Sequence, residues 1–484
     1  MRAARAMIAG LMLAAHVATA QVAPPPPAPP RHVTLPEPAA KTLANGLRVI
    51  VVPKHDVPLA SARLMVRSGS EQDPAALAGL ASLTASLLTQ GTKRRTAEQI
   101  ARGVEALGGT LNATAGWDVS RVDVTVMSSK LEPALEFVAD VVRNPTFRND
   151  EVERLRAQAI DAVMVSLQEP LTLARLVASR LVYGGLPYGQ SVNGTPQSLK
   201  RITRDRAAAF HERHYRPENA VLIIAGDVTP ASAFAMAGKH FGSWKRRSGG
   251  VVKIELRSGG DPPEPRVVVV DMPDAGQAAV LVTRRGLRRV DPLYYAAIVT
   301  NSVLGGGYSA RLNQEIRIKR GLSYGATSAF DLRREEGPFA AWTQTKNESA
   351  SEVAGLIVEE LNRLAESEIG EEELTPRKAV LTGGFARSLE TTAGVVDRLA
   401  ALALHGLPLD EIGKFGPGVQ RVTSEAVRRF ARAHLGGSTA SIVIVGDARQ
   451  FLEPLRKRFE EVEVIALEEL DLDSAKLREA PPDP

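Results

Sequence analysis

A chain of 484 residues with 44% hydrophobic and 24% charged side chains has an ordinary globular composition and is too long for one domain of usual size. A formal net charge of +5 over that length does not make a nucleic-acid-binding stripe. Runs such as Lys93-Arg94-Arg95 and Arg284-Arg285 read as solvated faces, with no RNA-binding aromatic signature beside them. Having no cysteine, the chain has no disulfide, no thiolate nucleophile and no cysteine-linked lipid anchor.

Residues 1–20 read as an export signal. Arg2 and Arg5 give a positive start, Met7 to Ala15 a short apolar core, and Ala18-Thr19-Ala20 a small-residue cleavage site. The apolar run is too short to span a bilayer, so no membrane span is expected after cleavage, and the periplasm is the expected compartment. Residues 21–38 are Pro-rich and read as an extended linker.

From residue 39 the pattern is periodic. Leu47 to Val52 and Leu59 to Arg67 read as a hairpin, followed by one helix from Ala75 to about Thr89. Thr96 to Gln99 has the form of a capping box opening a helix that Gly108-Gly109 closes. Leu111 to Ala115 and Val119 to Met127 return to strand. Leu131 to Arg143, Asp150 to Leu167 and Leu171 to Tyr183 read as helices, and Val221 to Ala225 as a buried strand. His211-Glu212-Arg213-His214 suggests a zinc motif, but its histidines are at i and i+3 where a helical HExxH pair needs i and i+4, so they are read as solvated surface histidines.

The same plan then repeats. Asp73-Pro74 before an apolar helix is matched by Asp291-Pro292, offset by 218 residues, and Phe210 to Asp227 by Phe430 to Asp447, offset by 220. Gly, Pro and charge replace the periodic pattern between the copies. The domains are therefore 39–248 and 265–470, joined by a linker over 249–264 and followed by a tail over 471–484. Strands and helices cluster rather than alternate, so the class is α+β with two homologous domains, each a mostly antiparallel sheet packed by helices. In the second copy Asp291-Pro292 opens a helix that Gly305, Gly306 and Gly307 stop. A second helix carries Leu312, Ile316 and Lys319 on one face and ends at Gly321, and a strand runs from Leu322 to Phe330.

The stretch LGGGYSARLNQEIRIKRGLSYGATSAF resembles the C-terminal half of the pitrilysin/insulinase family of zinc metallopeptidases, and the resemblance extends over roughly residues 40 to 450. It implies that Arg317 and Tyr324 bind substrate and polarise the scissile carbonyl opposite a zinc site. In such a role a guanidinium and a phenol donate hydrogen bonds to a developing oxyanion without being consumed. The family's metal helix carries His-x-x-Glu-His. Aligned on Gly79 to Thr92, its histidines fall on Ser82 and Ser86, its glutamate on Ala85, and the distal ligand on Ala162, next to Asp161. Serine is a very poor zinc ligand and alanine none, so no metal is expected in this chain.

The resemblance is therefore to the non-catalytic subunit of heterodimeric members. It implies a homologous partner carrying His-x-x-Glu-His and the zinc, with Arg317 and Tyr324 supplied in trans to bound peptide, and no activity in this chain alone. Gly305 to Gly307 has two readings: a helix stop, or a flexible substrate-contacting loop like that of the non-catalytic subunit of mitochondrial processing peptidase. The rival functions are a structural subunit, like the core proteins of the respiratory cytochrome complex, and a stand-alone peptidase.

Overall fold

Among the described residues twelve strands carry the periodic apolar runs: β1 (Ala39–Thr42), β2 (Arg48–Pro53), β3 (Leu59–Val66), β4 (Thr110–Ala115), β5 (Ser120–Met127), β6 (Ala220–Gly226), β7 (Val267–Asp271), β8 (Ala278–Arg285), β9 (Ser323–Phe330), β10 (Pro338–Thr345), β11 (Ser441–Gly446) and β12 (Val462–Ala466). They form two six-stranded sheets, ordered β1-β2-β6-β3-β5-β4 and β12-β7-β11-β8-β10-β9. The computed structural model describes residues 36–246 and 263–478. The expected signal peptide, most of both expected linkers and the end of the tail lie outside the described residues.

The two sheets repeat one plan. In each, a central strand pairs in parallel with the first long strand (β6 with β2, β11 with β7) and antiparallel with the next (β3, β8). The copies differ at one edge, where β1 runs antiparallel to β2 while β12 runs parallel to β7. Most pairings are antiparallel, as the α+β reading requires.

Two sequence expectations need correction. β2 and β3 do not form a hairpin, because β6 lies between them. Strand β6 is apolar on both faces and buried along its whole length, which a central position satisfies and an edge position would not. The chain crosses its end closely: Lys54 donates to the Gly226 carbonyl at 2.7 Å, and a Cβ on Gly226 would stand 2.2 Å from the Leu59 oxygen. The helix expected from Ala75 to Thr89 is also broken. A 3-10 turn, Ala75–Leu77, precedes Gly79 at φ +92°, and only Leu80–Leu87 is α-helical. The buried Asp73 carboxylate caps that helix by accepting from the amides of Gly79 (3.0 Å) and Ala81 (2.9 Å).

Alternation along the strands sends side chains to both faces of each sheet. On one face of the first sheet Leu222 and Ile224 pack with Leu80, Leu83 and Leu135 from their own half. On the other, Ile50, Val221 and Ile223 pack against Val395, Val396, Leu399 and Ala403, which belong to the helix Thr392–Leu404 of the second half. Ser61 Oγ and Thr392 Oγ1 are hydrogen-bonded at 2.8 Å beneath that helix, and Arg63 pairs with Asp397 at 2.7 Å. The reverse exchange covers the second sheet. Leu173, Val177 and Leu181 of the helix Pro170–Tyr183 pack on Val268, Leu281 and Val443. Each half thus closes the other's sheet.

A polar joint completes the contact between the halves. Arg334, in the loop after β9, donates its amide to Asp118 (2.8 Å) and its guanidinium to Glu71 (3.3 Å) and to the carbonyls of Arg67 and Asp118. The Tyr188 hydroxyl donates to the other oxygen of Asp118 at 2.5 Å. Next to it the Arg333 guanidinium lies 4.0 Å from the Trp117 ring and 4.7 Å from that of Tyr188.

Candidate functional site

The helix Leu80–Leu87 packs against the helix Asn149–Ser166, and between them lies a pocket of about 380 Å³. Ser82, Ser86 and Ala162 all line it, with Asn193, Gln158 and Ser166. The three positions aligned with metal ligands are therefore gathered at one place. Ala85 is fully buried and does not line the pocket.

The side chains there do not fit zinc. Ser82 Oγ donates to Asn193 Oδ1 at 3.3 Å and Ser86 Oγ to the Ser82 carbonyl at 3.0 Å, so both hydroxyls are engaged within the protein. Neutral hydroxyls and two alanines offer none of the imidazole, thiolate or carboxylate donors that zinc takes. Among the described residues no cluster of three or more His, Cys, Asp or Glu could hold a metal ion.

The histidine pair is not a metal site either, nor is it solvated as expected. His214 is buried, with Nδ1 3.1 Å from Ser68 Oγ, and burial lowers its pKa to about 4. His211 Nε2 lies 2.7 Å from the Val142 carbonyl, and its ring stacks on Tyr215. Both serve packing, because each imidazole finds a partner from a distant part of the chain.

The second group of residues lies on the other half. Leu293 donates its amide to Asp291 Oδ1 at 2.8 Å, and the helix Tyr294–Leu304 follows. It ends at Gly305, whose carbonyl accepts from Thr327 Oγ1 (2.8 Å) on β9. A Cβ at Gly305 would stand 2.4 Å from Ser328 N and one at Gly306 2.7 Å from Ser302 Cα, whereas one at Gly307 would meet nothing within 4 Å. Two glycines are thus required by close backbone approach and the third is not.

The expected second helix is an α-turn, Arg311–Asn313, running into a π-helix, Gln314–Ile318. Leu312 and Ile316 are buried, but Lys319 is exposed and pairs with Glu315, so it does not share their buried face. The π-turn carries Arg317; such turns are frequent at functional sites because the extra residue re-aims the side chains around it. Gly321, at φ +65°, ends the segment as expected and leads into β9. There Tyr324 is 91% exposed.

Arg317 and Tyr324 meet: the guanidinium lies 4.9 Å from the Tyr324 ring. It lies equally 4.9 Å from the ring of Tyr308, which directly follows the three glycines. The glycine break, Arg317 and Tyr324 therefore form one surface. Beneath it the buried Asn313 amide donates to the Tyr308 carbonyl and accepts from the Ala326 amide at 3.2 Å, tying the break to β9. Nearby Glu315 is a buried carboxylate; its burial is outweighed by hydrogen bonds from Lys319 and Arg320, which hold its pKa below the usual range. Sequence reasoning missed Tyr308 and Asn313. An aromatic directly after a helix stop was the available signal for the first; nothing in the pattern marked the second.

The first sheet also has an open edge. Strand β4 is an edge of the first sheet, paired only with β5, and its residues alternate between exposed and half-buried. Its outer backbone groups offer a peptide the hydrogen bonds of a further strand.

This paired α+β architecture, with an arginine–tyrosine cluster on one half and a donor-poor pocket on the other, is that of a peptidase homologue, as comparison with known proteins shows. Residues 48–194 match the domain family described as Insulinase (Peptidase family M16), and residues 201–381 match the one described as Peptidase M16 inactive domain. A relative from Mycobacterium leprae described as an uncharacterized zinc protease is 32% identical over 83% of this chain and 90% of its own length. The crystal structure of a peptidase M16 inactive domain from Pseudomonas fluorescens is 30% identical, covers 85% of this chain and 98% of its own, and superposes with a TM-score of 0.78. A protease from Helicobacter pylori, 22% identical over 85% of this chain and all of its own, shares the fold with a TM-score of 0.80. The chain belongs to the peptidase M16 (insulinase) family.

Proposed function

We propose that this protein is the non-catalytic subunit of an exported, heterodimeric zinc metallopeptidase. It binds extended peptide and supplies Arg317 and Tyr324 in trans to the zinc site of a homologous subunit that carries His-x-x-Glu-His. The observation that carries this reading is the contrast between the two sites. Ser82, Ser86 and Ala162 line one pocket and provide no metal donor, while Arg317 and Tyr324 stand together on an exposed surface. Among the described residues neither side chain of that pair has a hydrogen-bond or ion-pair partner, so both keep their donors for a ligand. The free edge of β4 supports the peptide-binding part, since main-chain pairing gives affinity with little sequence preference.

The test is a peptidase assay with zinc analysis on this chain alone, on a His-x-x-Glu-His homologue from the same source, and on the mixture. Activity in the mixture well above that of the homologue alone, with no zinc in this chain, is the expected result. Arg317→Lys or Tyr324→Phe should lower the mixture's activity about 10²-fold, the loss typical of one oxyanion donor. Zinc-dependent cleavage by this chain alone would overturn the reading. A mixture indifferent to both substitutions would leave a structural subunit.

A further inference from the structure

Tyr308 has no packing role that accounts for it. Its ring is 64% exposed and belongs to no apolar core cluster, while the helix stop before it is accomplished by Gly305 and Gly306. Its backbone is nonetheless held firmly. The Tyr308 carbonyl accepts from Asn313, the Ser309 carbonyl accepts from the Arg377 guanidinium, and Ala310 donates to the Gly307 carbonyl at 3.0 Å. A fixed loop that presents a large ring to solvent calls for a partner, and the partner in reach is Arg317.

We infer that Tyr308 is a positioning residue for Arg317 and the third member of the peptide-binding surface. Its ring and that of Tyr324 lie at the same 4.9 Å from the guanidinium. Each ring face attracts the cation, and together they restrict a side chain that would otherwise sample many rotamers. The group carries no carboxylate. It offers a guanidinium and two phenol hydroxyls, which are donors toward an acceptor oxygen, and the exposed Ile318 next to Arg317 adds apolar surface. That combination fits the carbonyl of an extended peptide with an apolar side chain alongside. The inference rests on the peptide-binding reading above for its ligand, but not for the positioning of Arg317.

The experiment compares Tyr308→Phe and Tyr308→Leu with the unaltered full chain in two measurements. The first is the rate at which phenylglyoxal modifies Arg317, mapped by mass spectrometry. The second is the affinity for dye-labelled casein, an unstructured polypeptide, by fluorescence anisotropy. Tyr308→Leu removes the ring and should speed modification of Arg317 and weaken casein binding by about two- to five-fold, the equivalent of one exposed cation–π contact. Tyr308→Phe keeps the ring and should leave the modification rate unchanged. Equal rates in all three proteins, or Phe behaving like Leu, would overturn the positioning role. Ring-dependent reactivity without casein binding by any of them would uphold the positioning of Arg317 and overturn the peptide-binding reading.

Discussion

Replacing Glu71 by glutamine should change how the protein's stability depends on pH. The Glu71 side chain is fully buried at the joint between the halves; Oε2 accepts from the Gly69 amide at 2.8 Å and Oε1 faces Arg334 at 3.3 Å, with Asp118 and Asp73 as neighbouring carboxyls. Burial raises its pKa from 4.5 to about 8; Arg334 opposes that and Asp118 adds to it. The folded protein therefore holds a proton that the unfolded chain has released. The stabilisation is complete below pH 4.5 and is lost as pH rises toward 8. At about 1.4 kcal/mol per pKa unit, the loss between pH 5 and 7 is about 2.5 kcal/mol. Urea unfolding followed by tryptophan fluorescence at pH 5, 6, 7 and 8 measures it. The stability of Glu71→Gln relative to the unaltered protein should rise by about 2.5 kcal/mol between pH 5 and 7. Groups that do not interact with Glu71, including the buried neutral His214, titrate alike in both proteins and cancel in that difference. Parallel stability curves for the two proteins would refute the argument, because they would mean that Glu71 is ionised and paired with Arg334 throughout.

The exchanged helices predict that neither half is sound alone. A fragment of residues 36–246 leaves Ile50, Val221 and Ile223 without the helix Thr392–Leu404, and should bind a hydrophobic dye and aggregate, whereas co-expression with residues 263–478 should restore a soluble complex on gel filtration. A soluble, dye-silent 36–246 fragment would contradict this. At the glycine break, Gly305→Ala should cost about 1–3 kcal/mol in thermal unfolding because its Cβ meets Ser328, while Gly307→Ala should stay within about 0.5 kcal/mol.

What the sequence made legible was local or repeated. The capping box at Thr96 and Gln99 forms as read, because it involves four consecutive residues. The helix Leu131–Arg143 and strand β6 have compositions that leave little choice of state. The duplicated Asp-Pro helix starts pointed to the repeated sheet plan. What stayed hidden depends on partners far along the chain. Nothing near Pro53 announces that residues 220–226 will separate β2 from β3. An apolar stripe on Leu173, Val177 and Leu181 shows that the helix must be buried, but not that it is buried on the other half's sheet. His214 reads as a surface residue until Ser68 supplies its partner. At the site, Arg317, Tyr324 and the glycines were found through a motif. Tyr308 and Asn313 act through space, across a π-turn that helical periodicity does not describe.

The two sites also differ in what holds them. At the pocket beside Leu80–Leu87 the substituted positions ask little of their surroundings: small side chains on a well-packed helix, with hydroxyls satisfied by Asn193 and a local carbonyl. Around Arg317 the situation is reversed. The buried Asn313, the close approach at Gly305, the Arg311–Glu373 pair at 2.7 and 2.8 Å and the Glu315 ion cluster all fix the backbone beneath the exposed rings of Tyr308 and Tyr324 and the half-buried Arg317. Exposing two tyrosine rings gains nothing for folding, and buried polar networks are costly unless every member is paired. A polar network that supports an exposed apolar and cationic surface is accounted for by what that surface meets. On the proposed reading, the side chains that meet peptide, Tyr308, Arg317 and Tyr324, stand on the second half and the open β4 edge on the first.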